Sequence, residues 1–361
     1  MGKIALINDS HFGVKNASEY FLDYQERFFR DVFFPHLVAN KIKHIIHLGD
    51  YFDHRRHIPV KVMHRSRKAF LDKLREYGIH MHIIPGNHDV LFRSTNRICS
   101  LKETLGYYTD CVTIHMEPRD VEICGETFAM IPWITMDNTT KCMSRIAKSN
   151  APIMCAHLEL GGFQMMKGIE SHASEDGLQV SDLEKFDFVF TGHYHTKNSM
   201  NNVHYLGTQY ELTWADSEDK KYFHIYDTAA RKVTRVRNPE TIFHKIYYDD
   251  TKDPEGELLA RQDELTDTFI RIIVVKKDDT ERFDTFVDSV ANLDPQDLKV
   301  IDSYNSFKAR EDEEESASIE IKDTHSLMET YIDSIETDLD KGKLKHLAAQ
   351  LYVQASNLET N

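Results

Sequence analysis

The chain has 361 residues, 41% of them apolar, and carries 44 Lys and Arg against 59 Asp and Glu, a formal net charge of −15. This length provides for one substantial catalytic domain and something smaller. No segment is apolar and long enough to span a bilayer, and Met1-Gly2-Lys3 leads into a strand-like stretch without a signal-peptide layout. The expectation is therefore a soluble cytoplasmic protein with no membrane contact.

In chain order, Lys3–Asn8 reads as a short buried strand. Ser18–Val38 reads as a helix capped by Ser18, with Pro35 set to kink or end it. His44–Leu48 is a second strand. Pro59–Tyr77 is a basic amphipathic helix started by Pro59 and stopped by Gly78, and His80–Ile84 is a third strand. Strands alternating with helices predict a βαβ layout and a largely parallel sheet. Phe128–Trp133, Pro152–Ala156, Phe186–Thr191, Met200–Leu206 and Tyr222–Tyr226 continue as strands, so the sheet is expected to be mixed and covered by helices. Near Asn238 a second unit begins: strands at Phe243–Tyr248, Thr268–Val275 and Leu298–Ile301, with a helix from Glu281. Phe307–Ser318 is charged and poor in apolar residues, as a linker is. Beyond it, Leu327, Met328, Tyr331, Ile332 and Ile335 share one helical face, and Leu344, Leu347, Ala348 and Leu351 share another. The domain reading is 1–237, 238–306, an acidic linker 307–322, and a helical segment 323–361.

Charge and histidine are unevenly spread. Twelve acidic residues and one lysine lie between Glu311 and Asp340, whereas Tyr51–Phe70 holds six Lys and Arg and one Asp. Seventeen of the twenty histidines precede Asp227, which points to chemistry in the N-terminal part. The five cysteines form no C-x-x-C pair, so a zinc knuckle is not expected and reduced thiols are.

Five segments share one position, the loop just after a predicted strand: Asp9-Ser10-His11-Phe12-Gly13, Gly49-Asp50-Tyr51-Phe52-Asp53, Gly86-Asn87-His88-Asp89, Ala156-His157, and Gly192-His193-Tyr194-His195. Ligands of open α/β sheets bind beyond the carboxyl ends of the strands, so these loops can converge. Carboxylate, imidazole and amide oxygen together suit Mn, Fe or Zn better than an all-oxygen magnesium cage. Two such ions roughly 3.5–4 Å apart can hold a phosphate and activate a water. Each segment alone also has a structural reading. Gly49-Asp50 can be a turn, Asn87 a cap and His157 a half-buried histidine. The order and common position of all five carry the inference.

The series D-x-H, G-D, G-N-H-D, H, G-H-x-H resembles the calcineurin-like metallophosphoesterases. Within them it looks most like the SbcD-type double-strand-break repair nucleases, over about the first 215 residues. The short chain and its Leu351–Ser356 stretch resemble the phage-encoded members of that group. The resemblance implies a mixed-sheet metallophosphoesterase sandwich with outer helices, a small α+β capping domain and a C-terminal helical pair. It also implies two divalent ions, Mn2+ before Mg2+. Asp9, His11 and His195 would hold the first, Asn87, His157 and His193 the second, and Asp50 would bridge them. His88 would stabilise the transition state or protonate the leaving oxygen; the alternative is a loop-stiffening hydrogen bond to Asp50 or Asp89. Asp53 stands where many members carry a second catalytic histidine, so it is expected to orient His88 instead, with His54 one residue out of register. Gly49–Arg55 partly matches the phosphatase pattern G-D-Y-V-D-R-G, but His54 replaces its arginine.

The implied function is a DNA exonuclease and endonuclease subunit acting in break processing and recombination, as a homodimer within a heterotetramer. Its C-terminal helices would bind an SMC-like ATPase of the SbcC type. Arg55, Arg56, Lys61, Arg65 and Lys68 are the candidate DNA contacts, against the commoner fate of charges on a solvated helix face. A phosphomonoesterase and a metal-free scaffold are the competing readings.

Overall fold

The computed structural model describes residues 2–166, 169–171, 177–302, 332 and 340–358. Two six-stranded sheets form the first compact unit, Met1–Leu212 with Lys220–Pro239. The first sheet contains β1 (Lys3–Ile7), β2 (His44–His47), β3 (His80–Ile83) and, beyond a small hairpin of β4 (Val90–Phe92) and β5 (Thr95–Cys99), β6 (Val112–Ile114). The second contains β7 (Arg119–Ile123), β8 (Glu126–Ile131), β9 (Ile153–His157) and, after the short pair β10 (Gln164–Met166) and β11 (Ile169–Glu170), β12 (Phe188–Gly192), β13 (Asn198–Met200) and β14 (Val203–Tyr205). Strands β15 (Tyr222–Asp227) and β16 (Lys232–Arg237) return to the first sheet. The orders are β16–β15–β1–β2–β3–β6 and β13–β14–β12–β9–β8–β7. Strands β1, β2, β3 and β6 run parallel, as do β8, β9, β12 and β14, and antiparallel strands edge both sheets. The expected mixed sheet is thus two mixed sheets face to face.

Between them lies an apolar layer of Ile4, Leu6, Ile46, Leu48 and Ile84 from one side and Phe128, Met130, Ile153, Cys155 and Phe190 from the other. Alternate residues face the outer layers, as strand geometry requires. The outer face of the second sheet buries Ala129, Ile131, Met154 and Val189 with Cys142 and Ile146 of the helix Thr139–Lys148. Aromatic rings fill the helical layer elsewhere: Phe29 stands 4.9 Å from Phe70, Phe28 5.2 Å from Tyr210, and Phe33 5.0 Å from Phe223.

The two long helices depart from regularity in the same way. Glu19–Arg27 and Phe34–Ala39 are joined by a π-type turn at Phe28–Phe33, and Val60–Ser66 and Asp72–Tyr77 by another at Arg67–Leu71. The first wide turn leads into Pro35, whose ring and missing N–H do not fit a regular helix interior, and the helix runs past it to Ala39. Ser18 precedes the first helix without a side-chain cap bond. Gly78 ends the second in the left-handed region, at φ +60°. The predicted strand Met200–Leu206 is a hairpin instead, because Asn201 takes φ +51° and turns the chain.

The second compact unit comprises Thr213–Asp219 and Glu240–Asn357. Parallel strands β17 (Phe243–Asp249), β18 (Phe269–Lys276) and β19 (Asp297–Ile301) are linked by helices Pro254–Leu265 and Thr280–Ala291. The first of these helices escaped sequence reading because it buries little beyond Pro254, Leu258 and Leu265. Asp253 and Asp279 cap the two helices, each accepting a backbone N–H at 3.0 Å. Lys341–Leu358 is helical and exposes Leu347 and Leu351. The linker 307–322 and, apart from Ile332, the first predicted C-terminal helix lie outside the described residues.

Candidate metal centre

The five loops converge at the carboxyl ends of β1, β2, β3, β9 and β12, so the first sheet supplies Asp9, His11, Asp50 and Asn87 and the second supplies His157, His193 and His195. Asp9, His11 and His195 form one group of ligand-type atoms, and Asp50, His157 and His193 another. Asn87 Oδ1 joins the second group, 2.9 Å from His157 Nε2 and 2.8 Å from His193 Nδ1. Asp50 Oδ2 lies between the groups, 3.8 Å from His11 Nε2 and 3.4 Å from His157 Nε2. His11 and His195 meet nitrogen to nitrogen at 3.2 Å.

The backbone is strained to achieve this. Asp9, His11, Asp50 and His193 all have positive φ, at +46°, +43°, +56° and +92°, a region non-glycine residues enter at a cost of roughly 1–3 kcal/mol each. Space is equally tight: a Cβ on Gly86 would lie 2.2 Å from Asp50 Oδ1, and Gly49, at φ +96°, would meet the Gly86 amide at 2.6 Å.

A cation fits the chemistry of these donors. His157 Nδ1–H donates to the Leu48 carbonyl at 2.7 Å, which leaves Nε2 of the neutral ring as an acceptor. That acceptor faces a carboxylate oxygen of Asp50 and the amide oxygen of Asn87, an arrangement that repels unless a proton or a metal stands between them. The titration behaviour agrees. Burial lowers His11, but Asp53, Asp50 and Asp9 outweigh it and raise the ring to about 9. Burial likewise lowers His157, and Asp50 and Asp9 raise it to about 9. His193, buried beside His157, is held well below 6.5.

Around the candidate ligands stands a supporting layer that single motifs did not reveal. Asp89 accepts from the amides of Asp50 (2.7 Å), Tyr51 (3.1 Å) and Gly86 (2.9 Å), clamping two ligand loops together. Gln25 Nε2 donates to the carbonyls of Ser10 (2.9 Å) and His11 (3.2 Å), and the Tyr210 hydroxyl donates to Ser10 at 2.6 Å. Asn8 Nδ2 and the His193 amide donate to the Asp9 carboxylate. Trp133 stands edge-on to His157, ring centres 5.7 Å apart, and 5.3 Å from His193.

Asp53 touches His88 through its main chain and His11 through its side chain. The His88 amide donates to Asp50 Oδ1 at 2.7 Å, and its Nδ1 sits 2.5 Å from the Asp53 main-chain carbonyl. With Nδ1–H bound there, Nε2 of the neutral ring is the acceptor. The Asp53 carboxylate instead takes His11 Nδ1 at 3.1 Å. His54 lies 3.9 Å from Asp53 and stacks on His57, 4.9 Å between centres.

The basic helix is largely neutralised. Lys61 pairs with Glu19 at 2.7 Å, and Arg65 is held by Glu19, Asp23 and Glu26. Among the described residues Arg55, Arg56 and Lys68 carry no ion pair.

The fold and these loops define a phosphoesterase of the calcineurin-like class. The family profile described as calcineurin-like phosphoesterase matches residues 2–197, and the chain belongs to that family. It is similar along nearly its whole length to exonuclease subunit 1 of Enterobacteria phage T4, with 30% identity over 357 residues, 98% of this chain and 99% of that one. Solved structures of related backbone include an archaeal phosphodiesterase (16% identity, 65% of this chain and 99% of that chain, TM-score 0.33). They also include a dimetal phosphatase from Danio rerio (11% identity, 62% and 91%, TM-score 0.40). These last two likenesses are too loose to bear on function.

Proposed function

We propose that this chain is a metal-dependent DNA nuclease subunit that hydrolyses phosphodiesters. The observation that carries the reading is the pair of converged ligand groups with Asp50 between them, acceptors facing acceptors. Similarity to a phage exonuclease subunit over both full lengths supports DNA as substrate. Asp9, His11 and His195 would hold one divalent ion and Asn87, His157 and His193 the other, with Asp50 shared. The mixed nitrogen and oxygen donors favour Mn2+ over Mg2+. Bound there, the ions would supply charge neutralisation at the phosphate and an acidified water.

The protein's own groups do the rest. Leu48 and Asp53 fix the tautomers of His157 and His11 through their ring Nδ1 atoms. Asp53 thereby acts as a positioning residue for His11. His88, aimed by the Asp53 carbonyl, hands a proton from Nε2 to the departing sugar oxygen. Arg55 and Arg56 hold the phosphate backbone. The likeness to an exonuclease subunit supports a partner: an SMC-like ATPase bound through the C-terminal helices, in a heterotetramer with two copies of this chain, working in recombination in the cytoplasm.

The test is an assay with Mn2+ on linear duplex DNA and on p-nitrophenyl phosphate. DNA cleavage is expected; activity on the monoester alone sinks the nuclease reading. Co-purification with the candidate ATPase tests the partner.

A further inference from the structure

The β4–β5 hairpin belongs to neither six-stranded sheet and starts one residue after Asp89, at the edge of the metal centre. An isolated two-stranded hairpin is marginal in water, and this one is braced from several sides. The Ser100 amide donates to the Asp89 carbonyl at 2.8 Å, the Asp137 amide to the Ser94 carbonyl at 3.1 Å, and Asn96 Nδ2 to the Met116 carbonyl at 3.0 Å. Val90 and Cys99 are buried at its base, and Arg97 pairs with Asp137 at 3.2 Å. Yet the tip points an apolar ring at solvent: Phe92 is 51% exposed, followed directly by exposed Arg93.

Arg93 does not stand alone. The loop leading into Arg55 and Arg56 is tied to the segment leading into the hairpin, with the Asp53 carbonyl 2.5 Å from His88 Nδ1. There Arg55 is half-buried, and Arg93 and Arg56 bear repulsively on it, with Asp50 of the candidate metal centre as the opposing charge. Among the described residues none of these three arginines has a carboxylate partner, unlike Lys61 and Arg65 on the neighbouring helix. Three cations gathered without an ion-paired carboxylate repel one another and favour an incoming anion. An exposed aromatic ring beside such a cluster has the makings of a single-strand site: a stacking platform on a cationic track.

We propose that the hairpin is a grip for an unpaired nucleotide: Phe92 stacks on its base, and Arg93 with Arg55 and Arg56 holds the phosphates beside the metal centre. This deepens the nuclease reading and rests on it. It implies a preference for frayed or single-stranded ends over fully paired ones.

The experiment compares the full-length wild type, Phe92→Ala, Phe92→Tyr and Arg93→Ala with Mn2+ on three substrates: a single-stranded oligonucleotide, an abasic strand of equal length, and the blunt duplex. Phe92→Ala is expected to raise KM on the normal strand by about 10-fold, in the range of one lost base stack, with KM on the abasic strand unchanged. Phe92→Tyr restores the wild-type value. Arg93→Ala raises KM on both strands and lowers the slope of affinity against salt by about one phosphate contact. Equal KM for wild type and Phe92→Ala on the normal strand overturns the grip alone, as does an equal loss on the abasic strand. A metal-loaded wild type that leaves all three DNAs intact overturns the nuclease reading beneath it.

Discussion

Two clusters of histidine behave in opposite ways. At the strand ends, His11 and His157 face Asp9, Asp50 and Asp53 and are drawn toward the protonated or metal-bound form. Between β2, β3 and the end of β6, His44, His80, His82 and His115 lie against one another instead. His82 and His115 stack at 5.3 Å with nitrogens 3.1 Å apart, and His80 is 5.0 Å from His82. Burial and the neighbouring imidazoles push His82 down to about 3, while burial and Arg119 push His115 down to about 4. The carboxylate that bears on this group is Asp110, at His80, and it is committed to Arg75 at 2.8 Å. Facing carboxylates lift His11 and His157, while His193 in the same site is lowered like the second cluster, so an excess of histidine cannot by itself tell a candidate ligand from a space-filling imidazole.

Removing a shared carboxylate should therefore do the greatest damage. Asp50→Asn is expected to reduce Mn2+-dependent cleavage to background and to weaken Mn2+ binding in calorimetry. Wild-type cleavage by that variant would break the comparison. His88→Gln should lower kcat by about 10²–10⁴-fold, the usual worth of a positioned acid, with Mn2+ binding intact. A matching loss of metal would recast His88 as a ligand. Asp53→Ala should cost about 10–100-fold in metal affinity or activity, because it frees the His11 ring, and the effect should appear in Mn2+ titrations.

The smallest catalytic effect belongs to the other cluster. His82→Phe and His115→Phe are expected to leave cleavage unchanged and to alter only acid stability. Both folded-state values lie below the ordinary 6.5, so the unfolded chain binds protons first as pH falls. Their contribution is complete above pH 6.5 and drains away as pH drops toward 4 and then 3. Thermal melts from pH 7 to 4 should show a steeper decline for the wild type than for His115→Phe.

The five converging loops were legible because each is local: a strand followed at once by metal-ligating residue types. Their supports were not, because they arrive from afar. Asp89 is visible as the last letter of Gly-Asn-His-Asp, yet its role needs amides 38 and 39 residues away. Tyr210 reaches back 200 residues to Ser10. Gln25 left one usable trace, a polar residue at helical spacing from Phe21, Phe28 and Phe29. The pairing of the basic helix was also written in the chain. Glu19, Asp23 and Glu26 recur at helical spacing, as do Lys61 and Arg65, but only the fold lays one stripe on the other. The β4–β5 hairpin lacked any signal, since Arg93-Ser94 is not a pair that hairpin turns favour.

The candidate ligands are split between the two sheets, three loops from one and two from the other. A pair of ions held there would be a seam as well as a reaction centre, stitching the halves of the sandwich at one end. Ions that bind only the folded chain raise its stability in proportion to their occupancy, so melting temperature should climb with Mn2+ and fall with chelator. Folding and catalysis would then draw on one supply of metal, and a chain starved of it would lose its shape along with its chemistry.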